Sequence, residues 1–447
     1  MATCLSYVLV ILDTSIVNIA LEPISTSLNA GVAGLQWVVN AYTLTFANLL
    51  LTGGALGDRL GVKKIYLVGL LIFASASALC GFSPTLLALI FARVLQGIGA
   101  ALLVPCSLAL INSVYPDASE RAGAIAKWAG FGGIAMAAGP LVGGVLTHYF
   151  GWHCIFLVNV PLALAGVWLT TRVQIENVTA RSVHHPDGVG QILAIVALAS
   201  TVAVLTASAK LSWGDLRIVA GSVVAVIAWG LFMLAETRAR QPMLPLRFFK
   251  NMVFSAAAFI SLVSALVFYG LFFLLSLYFQ TIRNWTPLQT GLAFLPLTLF
   301  VTLGSFASGP LSRYLSTLHL VGGGFLLYAV GFLGLYAVAD NEPYWRIALY
   351  FPAMGFGAGI ITPAVTASLM NVIDKSQTGI AAGVLNASRQ AGSAFGVAIF
   401  GTVLTGAGTL RDSINLAISL AIGLSLLAAL CWTLALKRDA RREELGR

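Results

Sequence analysis

The chain has 447 residues, of which 59% are hydrophobic and only 9% are charged, with a formal net charge of +9. Soluble domains carry about 25% charged residues, so this composition excludes an ordinary soluble protein and points to an integral membrane one, which the apolar runs below make all-α. The positive balance does not indicate nucleic acid, because no basic run is interleaved with aromatics as such a groove requires.

A helix needs about 20 apolar residues to cross roughly 30 Å of hydrocarbon at 1.5 Å per residue. Such runs predict spans over 3–22, 35–54, 64–82, 84–110, 122–146, 153–172, 189–208, 216–235, 253–279, 289–309, 318–338, 347–370, 378–405 and 413–436, fourteen in all. The first is not a cleavable signal, since no base precedes it and Asp13 interrupts it.

Asp13 lies about ten residues into the first span, roughly 15 Å along it. A charge at mid-bilayer costs at least about 2.5–3.5 kcal/mol, and only Asp13, Arg93 and Arg389 lie that deep. Asp13 is the one carboxylate well inside a predicted span, and burial favours the neutral form of a carboxyl. It is the candidate proton site; a permanent ion pair with a base such as Arg93 is the structural alternative. Arg93, in the fourth span, either tunes Asp13 or rests on helix carbonyls.

Between the second and third spans, Gly54-Ala-Leu-Gly57-Asp58-Arg59-Leu-Gly61-Val-Lys-Lys64 sets one acid and three bases in a glycine-rich turn. Gly57 and Gly61 permit positive φ or close backbone approach, so the turn reads as a conformational hinge rather than a merely solvated connection. In the fifth span Gly130, Gly133, Gly139, Gly143 and Gly144 flank Pro140, which removes bulk from a helix face and allows a close seam. Cavity candidates are Asn18 on the first span, Trp37, Asn40 and Tyr42 on the second, Phe272 in the aromatic run of the ninth, and Asn386 with Arg389 on the thirteenth. An aromatic stripe in a spanning helix serves packing as readily as binding. The five cysteines read as buried small hydrophobes, His184 and His185 as loop histidines, and no metal or nucleophile spacing is present.

An internal repeat organises the chain. Gly97-Ile-Gly99-Ala-Ala101 and Pro105 recur as Gly355-Phe-Gly357-Ala-Gly359 and Pro363, an offset of 258, while Gly54-Ala-Leu-Gly-Asp58 recurs as Gly309-Pro-Leu-Ser-Arg313, an offset of 255. Two parallel six-helix bundles follow, over 1–175 and 253–436, with two inserted helices over 189–235. With both termini cytoplasmic, eighteen bases fall on the inner side against five outside, namely Lys210, Arg217, Arg283, Arg346 and Arg411.

The hinge resembles the loop 2–3 signature of the major facilitator superfamily, and Arg93-Val-Leu-Gln-Gly-Ile-Gly99 resembles its basic helix-4 motif. Gly130 through Gly144 resembles the helix-5 motif of antiporters, and Leu12-Asp13-Thr14-Ser15-Ile-Val-Asn18 with fourteen helices resembles the drug:proton antiporter branch. The helix-1 signature departs at Ala20-Leu21-Glu22-Pro23, where one residue is inserted. The resemblance implies two six-helix bundles plus two inserted central helices, and a multi-pass protein of the bacterial cytoplasmic membrane. It implies a proton-coupled antiporter, not an enzyme, that exports hydrophobic or amphipathic compounds by alternating access. Asp13 and Arg93 would couple to protons, and Gly57, Asp58, Arg59 and Gly61 would act as a switch loop. The partners are hydrophobic small molecules, protons and the bilayer; the protein is expected to be a monomer with no cofactor, driven by the proton-motive force. The absence of carboxylates within the last eight predicted spans favours lipophilic monocations or neutral compounds. A dedicated exporter of one metabolite, antibiotic, siderophore or lipid is the alternative.

Overall fold

The computed structural model describes residues 1–115, 117–172, 187–239, 242–336, 342–373, 378–405 and 410–445. His184, His185, Arg181, Arg240, Lys375 and the expected domain end at residue 175 lie outside the described residues. Among the described residues the secondary structure is helical, with no strands, and forms fourteen rods. They are α1 (Ala2–Leu28), α2 (Val32–Leu60), α3 (Val62–Gly81), α4 (Leu86–Val114), α5 (Ala118–Phe150), α6 (Cys154–Thr171) and α7 (Gly188–Ala207). The rest are α8 (Leu216–Arg238), α9 (Met252–Ile282), α10 (Pro287–Leu311), α11 (Thr317–Tyr336), α12 (Tyr344–Met370), α13 (Thr378–Leu404) and α14 (Leu410–Leu445).

Twelve of these rods are long and apolar enough to cross a membrane; α2 and α13 fall short of that threshold. Their sequences give the reason. The α2 rod carries Gln36, Asn40, Asn48, Asp58 and Arg59, and α13 carries Asn386, Arg389 and Gln390. The fourteen predicted helices therefore match fourteen rods, but their ends move. The α1 rod continues past residue 22 to Leu28 through a 3₁₀ turn at Val17–Ala20. The α2 rod does not stop at residue 54 but runs through Leu60, because nothing before Gly61 breaks the helix. The α9 rod ends in a π turn over Tyr278–Ile282. The α8 rod extends to Arg238, which brings Glu236, only 3% exposed, into its last turn. Asp13 is thus not the sole buried carboxylate in a rod, since the helix does not end where the apolar run does.

The chain divides into two compact units. Unit 1 comprises Met1–Val204, Trp213–Met243 and Leu275–Leu292, and unit 2 comprises Leu205–Ser212, Leu244–Leu274 and Ala293–Arg447. In unit 1, α4 is wedged between α2 and α3 along a glycine face. A Cβ on Gly97 would sit 2.7 Å from the Tyr42 carbonyl, one on Gly99 2.8 Å from the Phe73 nitrogen, and the Gly53 position abuts the Ala101 carbonyl. In unit 2, α12 is wedged in the same way between α10 and α11: Gly355 meets the Leu297 carbonyl, Gly357 that of Gly324 and Gly359 that of Val301. Tyr42 and Leu297 stand at the 255-residue offset, as do Gly69 and Gly324, whose neighbours are Gly99 and Gly357. The sequence repeat is therefore a repeat of packing. Small residues let these backbones approach, which is how helices associate where lipid tails are as apolar as the side chains.

The α7 and α8 rods fall largely within unit 1. Gln191 on α7 donates to the Asn48 carbonyl of α2 at 2.6 Å and accepts from the Thr52 hydroxyl. On α8, Trp229 donates to Thr201 of α7 at 3.2 Å. In unit 2, the fully buried Trp432 of α14 donates to the Thr317 carbonyl at the start of α11. Cys4, Cys80 and Cys106 are buried, whereas Cys154 and Cys431 are half-buried, so the reading of all five as buried holds for three.

Candidate functional site

Asp13 and Arg93 meet inside unit 1. Asp13 is 0% exposed on α1, Arg93 is 1% exposed on α4, and the guanidinium Nη1 donates to Asp13 Oδ2 at 2.5 Å. Without further hydrogen bonds such a pair would be left half-satisfied, and burial makes that costly. Here every ligand is an N–H donor. Gln96 Nε2 donates to Asp13 Oδ1 at 2.7 Å, and Asn159 Nδ2 from α6 donates to the same oxygen at 3.0 Å. Arg93 is also held without the acid: its Nε donates to the Val38 carbonyl at 3.1 Å and its Nη1 to Gln96 Oε1 at 2.7 Å. The guanidinium carbon lies 4.3 Å from the centre of the Tyr42 ring and 5.7 Å from that of Phe156, within cation–π range. Gln96 spends its remaining capacity on Ser77 Oγ, at 2.9 Å, and on the Cys80 thiol.

The local sequence explains the arrangement. Arg93 and Gln96 are three residues apart, so one helix face presents both. Gly97 and Gly99 draw α4 against α2 and α3, which carry Val38, Tyr42 and Ser77. On α6 the helix is interrupted at Val158 and resumes at Asn159, turning that amide inward, where it is 0% exposed. Gln96 and Asn159 were missed from sequence. Gln96 had a signal, being one turn from Arg93 within the quoted motif; Asn159 had only that it is an amide in an apolar span.

The other candidates divide. Tyr42 belongs to the cluster, and its hydroxyl donates to the Val10 carbonyl. Asn18 is buried; its Nδ2 donates to the Thr14 carbonyl while its own backbone carbonyl accepts from Ser276, and its Oδ1 has no partner. Asn40 is 0% exposed with neither amide atom hydrogen-bonded, and Trp37 is half-buried. Phe272 lies in unit 2 within a buried stack, 4.2 Å from Phe294 and 6.1 Å from Phe268 between ring centres. Asn386 and Arg389 are half-buried in unit 2, where Arg389 donates to the Asn386 amide oxygen.

In the α2–α3 turn, Asp58 and Arg59 occupy the last exposed helical turn rather than a loop. Gly61 alone joins the two helices, at φ +99 and ψ 122, a backbone that side chains rarely adopt. Gly57 serves close approach instead, its Cβ position lying 2.7 Å from the Cys106 sulfur. On α5, Gly139 abuts Ser15, Gly143 lies against Ile16, and a Cβ on Gly144 would sit 2.8 Å from the Pro287 carbonyl, while Gly291 abuts the Pro140 carbonyl. Gly132, which sequence passed over, faces Tyr7, and a Cβ on Gly130 or Gly133 would meet open space.

Fourteen helical rods, most of them apolar enough to span a membrane, with a buried acid–base pair among them, define a multi-pass helical membrane protein. Solved structures share its fold. A POT family transporter in complex with a thioalcohol-conjugated peptide matches with a TM-score of 0.70 at 14% identity, covering 96% of this chain and 94% of that one. A D-xylose–proton symporter matches with a TM-score of 0.68 at 14% identity, over 96% of both chains. The chain belongs to the Major Facilitator Superfamily, whose description it matches over residues 3–397 and 257–446. Among its relatives, the methylenomycin A resistance protein of Streptomyces coelicolor is 35% identical over 90% of this chain and 84% of that protein. The tetracenomycin C resistance and export protein of Streptomyces glaucescens is 32% identical, and the multidrug resistance protein Stp of Mycobacterium tuberculosis 31%, each over 90% of this chain and 75% of the relative.

Proposed function

We propose that this protein is a proton-coupled antiporter that exports hydrophobic or amphipathic organic compounds across the bacterial cytoplasmic membrane, with both termini cytoplasmic. The observation that carries the reading is the Asp13–Arg93 pair, buried where an unneeded charge is costly. Protonating Asp13 cancels the ion pair, and Arg93 then keeps the Val38 carbonyl, Gln96 and the Tyr42 ring. The base is therefore satisfied in either state of the acid, which is what a reversible proton site requires. Proton and substrate act through their different affinities for the two facing states. The driving force is about 2.3 kcal/mol per charge per 100 mV and about 1.4 kcal/mol per pH unit. The protein works as a monomer without a cofactor. The Gly57–Gly61 turn and the α5 glycines serve the conformational change rather than binding, and the two six-helix bundles with α7 and α8 inserted are the moving parts.

The relatives named for methylenomycin A and tetracenomycin C favour a second reading, export of one dedicated antibiotic-like compound. Profiling growth of an efflux-deficient host separates the two: a broad panel of lipophilic compounds tolerated supports multidrug export, and a single one the dedicated reading. Proton coupling is tested in energised proteoliposomes with ethidium, a lipophilic dye cation, or whichever compound the host profile identifies. Asp13→Asn is expected to abolish uphill transport and compound-induced proton release while sparing downhill exchange. Uphill pumping with unchanged pH dependence at matched protein level would place the proton on another group.

A further inference from the structure

Asp13 has three donor neighbours, and they differ in what they can still accept. Arg93 has no acceptor. Gln96 is saturated, its Nε2 on Asp13 and Ser77 and its Oε1 on Arg93 and Cys80. Asn159 donates to Asp13 Oδ1 through Nδ2, and its own Oδ1 is buried with no hydrogen-bond partner. The orientation of this amide is set by the charge it faces, because the reverse would point its carbonyl at a carboxylate. A buried carbonyl without a partner is an exception that asks for a reason.

The geometry points to Asn159 as the residue that holds the proton on Asp13: when Asp13 gains a proton, the amide turns over, and its Oδ1 accepts the new O–H where Nδ2 had donated to the carboxylate. One side chain then hydrogen-bonds both protonation states, leaving one outward amide atom unpaired in each, so that cost cancels between them. Asn159 acts through Asp13 and is a positioning residue. No other group in the cluster can take this part. The titratable and charged groups facing Asp13 are Arg93 from α4 and Cys80 from α3, while Tyr42 of α2 lies against Arg93 with its hydroxyl on the Val10 carbonyl. The charged residues of α5, which packs along α1, lie toward the ends of that helix, and α6 carries none between Cys154 and Thr171. The inference rests on the reading of Asp13 as the proton site and adds what stabilises its protonated form.

The sign of the expected effect follows from counting partners. In an Asn159→Leu protein the carboxylate still has a donor on each oxygen, Arg93 on Oδ2 and Gln96 on Oδ1. The acid loses its one available acceptor, and a buried O–H left without a partner bears the larger penalty. The protonated form is weakened more, so the proton leaves at lower pH, by about one unit.

The test is pH-difference infrared spectroscopy of the reconstituted full chain, which needs no substrate. The Asp13 acid carbonyl band is assigned by its loss in Asp13→Asn. Asn159→Leu is expected to lower its titration midpoint by about one unit, and Asn159→Gln, which keeps the amide, to restore the midpoint toward the native value. In the wild-type protein with ¹³C-labelled asparagine, an asparagine carbonyl band should change with the same midpoint, a measurement that stands even if the Leu variant does not fold. A midpoint unmoved or raised in Asn159→Leu, or an asparagine spectrum that does not change with pH, overturns the inference while leaving Asp13 as the proton site. Absence of any titrating Asp13 band in the wild-type protein overturns the proton-site reading itself.

Discussion

The Asp13–Arg93 pair is an unequal partnership, and the inequality predicts how each side fails. Removing one member of a buried pair leaves the other as an uncompensated charge, at about 3–5 kcal/mol. Arg93 has substitutes for Asp13 in the Val38 carbonyl, Gln96 and the Tyr42 ring, whereas Asp13 without Arg93 has only two amides. Arg93→Ala is therefore expected to lower thermal stability markedly, and Asp13→Asn to cost only about 1 kcal/mol. Adding Asp13→Asn to Arg93→Ala should recover stability without recovering uphill transport. Thermal unfolding of the three variants in detergent checks this; equal losses for both single variants would mean that Arg93 depends on the acid as much as the acid depends on it. Gln96 and Asn159 bear the same lesson. Polar residues in an apolar helix are conspicuous, but which of them converge is decided by helix phase and crossing, and a residue list holds neither.

At the scale of the helix, the glycines sort into those that set a contact and those that do not. A side chain on Gly97 or Gly355 would strike the carbonyl of Tyr42 or Leu297 in an adjacent helix backbone, which cannot rotate away. Gly97→Val and Gly355→Val are each expected to destabilise by about 1–3 kcal/mol, one in each unit. Gly130→Ala meets open space and should be neutral, or stabilising by up to about 1 kcal/mol through helix propensity. Unfolding temperatures at matched detergent concentration decide the contrast; Gly130→Ala behaving like Gly97→Val would count against this packing. The inserted pair also has an element-scale consequence. Gln191 ties α7 to Asn48 and Thr52 of α2. Gln191→Leu leaves the Asn48 carbonyl and the Thr52 hydroxyl without that partner. It should lower stability by about 1–3 kcal/mol, where substitutions on the exposed faces of α7 and α8, such as Val196→Ala or Val226→Ala, should not.

For the molecule as a whole, charge and periodicity make a topology prediction. Counted with both termini cytoplasmic, eighteen bases fall on the inner side against five outside, which predicts that orientation. A reporter active only in the cytoplasm should be active when fused after Lys375 and silent after Trp285. The reverse pattern would overturn the count of fourteen crossings, since one helix more or fewer exchanges the sides of everything after it. The same scale shows why α2 and α13 fall below the apolar threshold without ceasing to be helices of the bundle. Their amides and Arg389 sit on long helices whose backbone is satisfied internally, and α2 carries most of its polar residues buried in protein.

The sequence by itself determined the class, the fourteen helices, the internal repeat and three charges deep in the spans, Asp13, Arg93 and Arg389, because each is written in local chemistry. An apolar run longer than the bilayer is thick can only be a span, and a charge inside one is rare enough to be informative. The glycine repeat was legible for the same reason, as its period survives in the packing of α4 and α12. Tertiary structure alone decided where helices end, that Asp58 and Arg59 lie in a helical turn, that Gly132 rather than Gly130 faces α1, and that Glu236 is buried. It alone brought Asn159 to Asp13 across 146 residues of chain. Hydropathy records how apolar a segment is but not which face it turns to which neighbour, and a hydrogen bond between distant helices exists only once those faces are chosen.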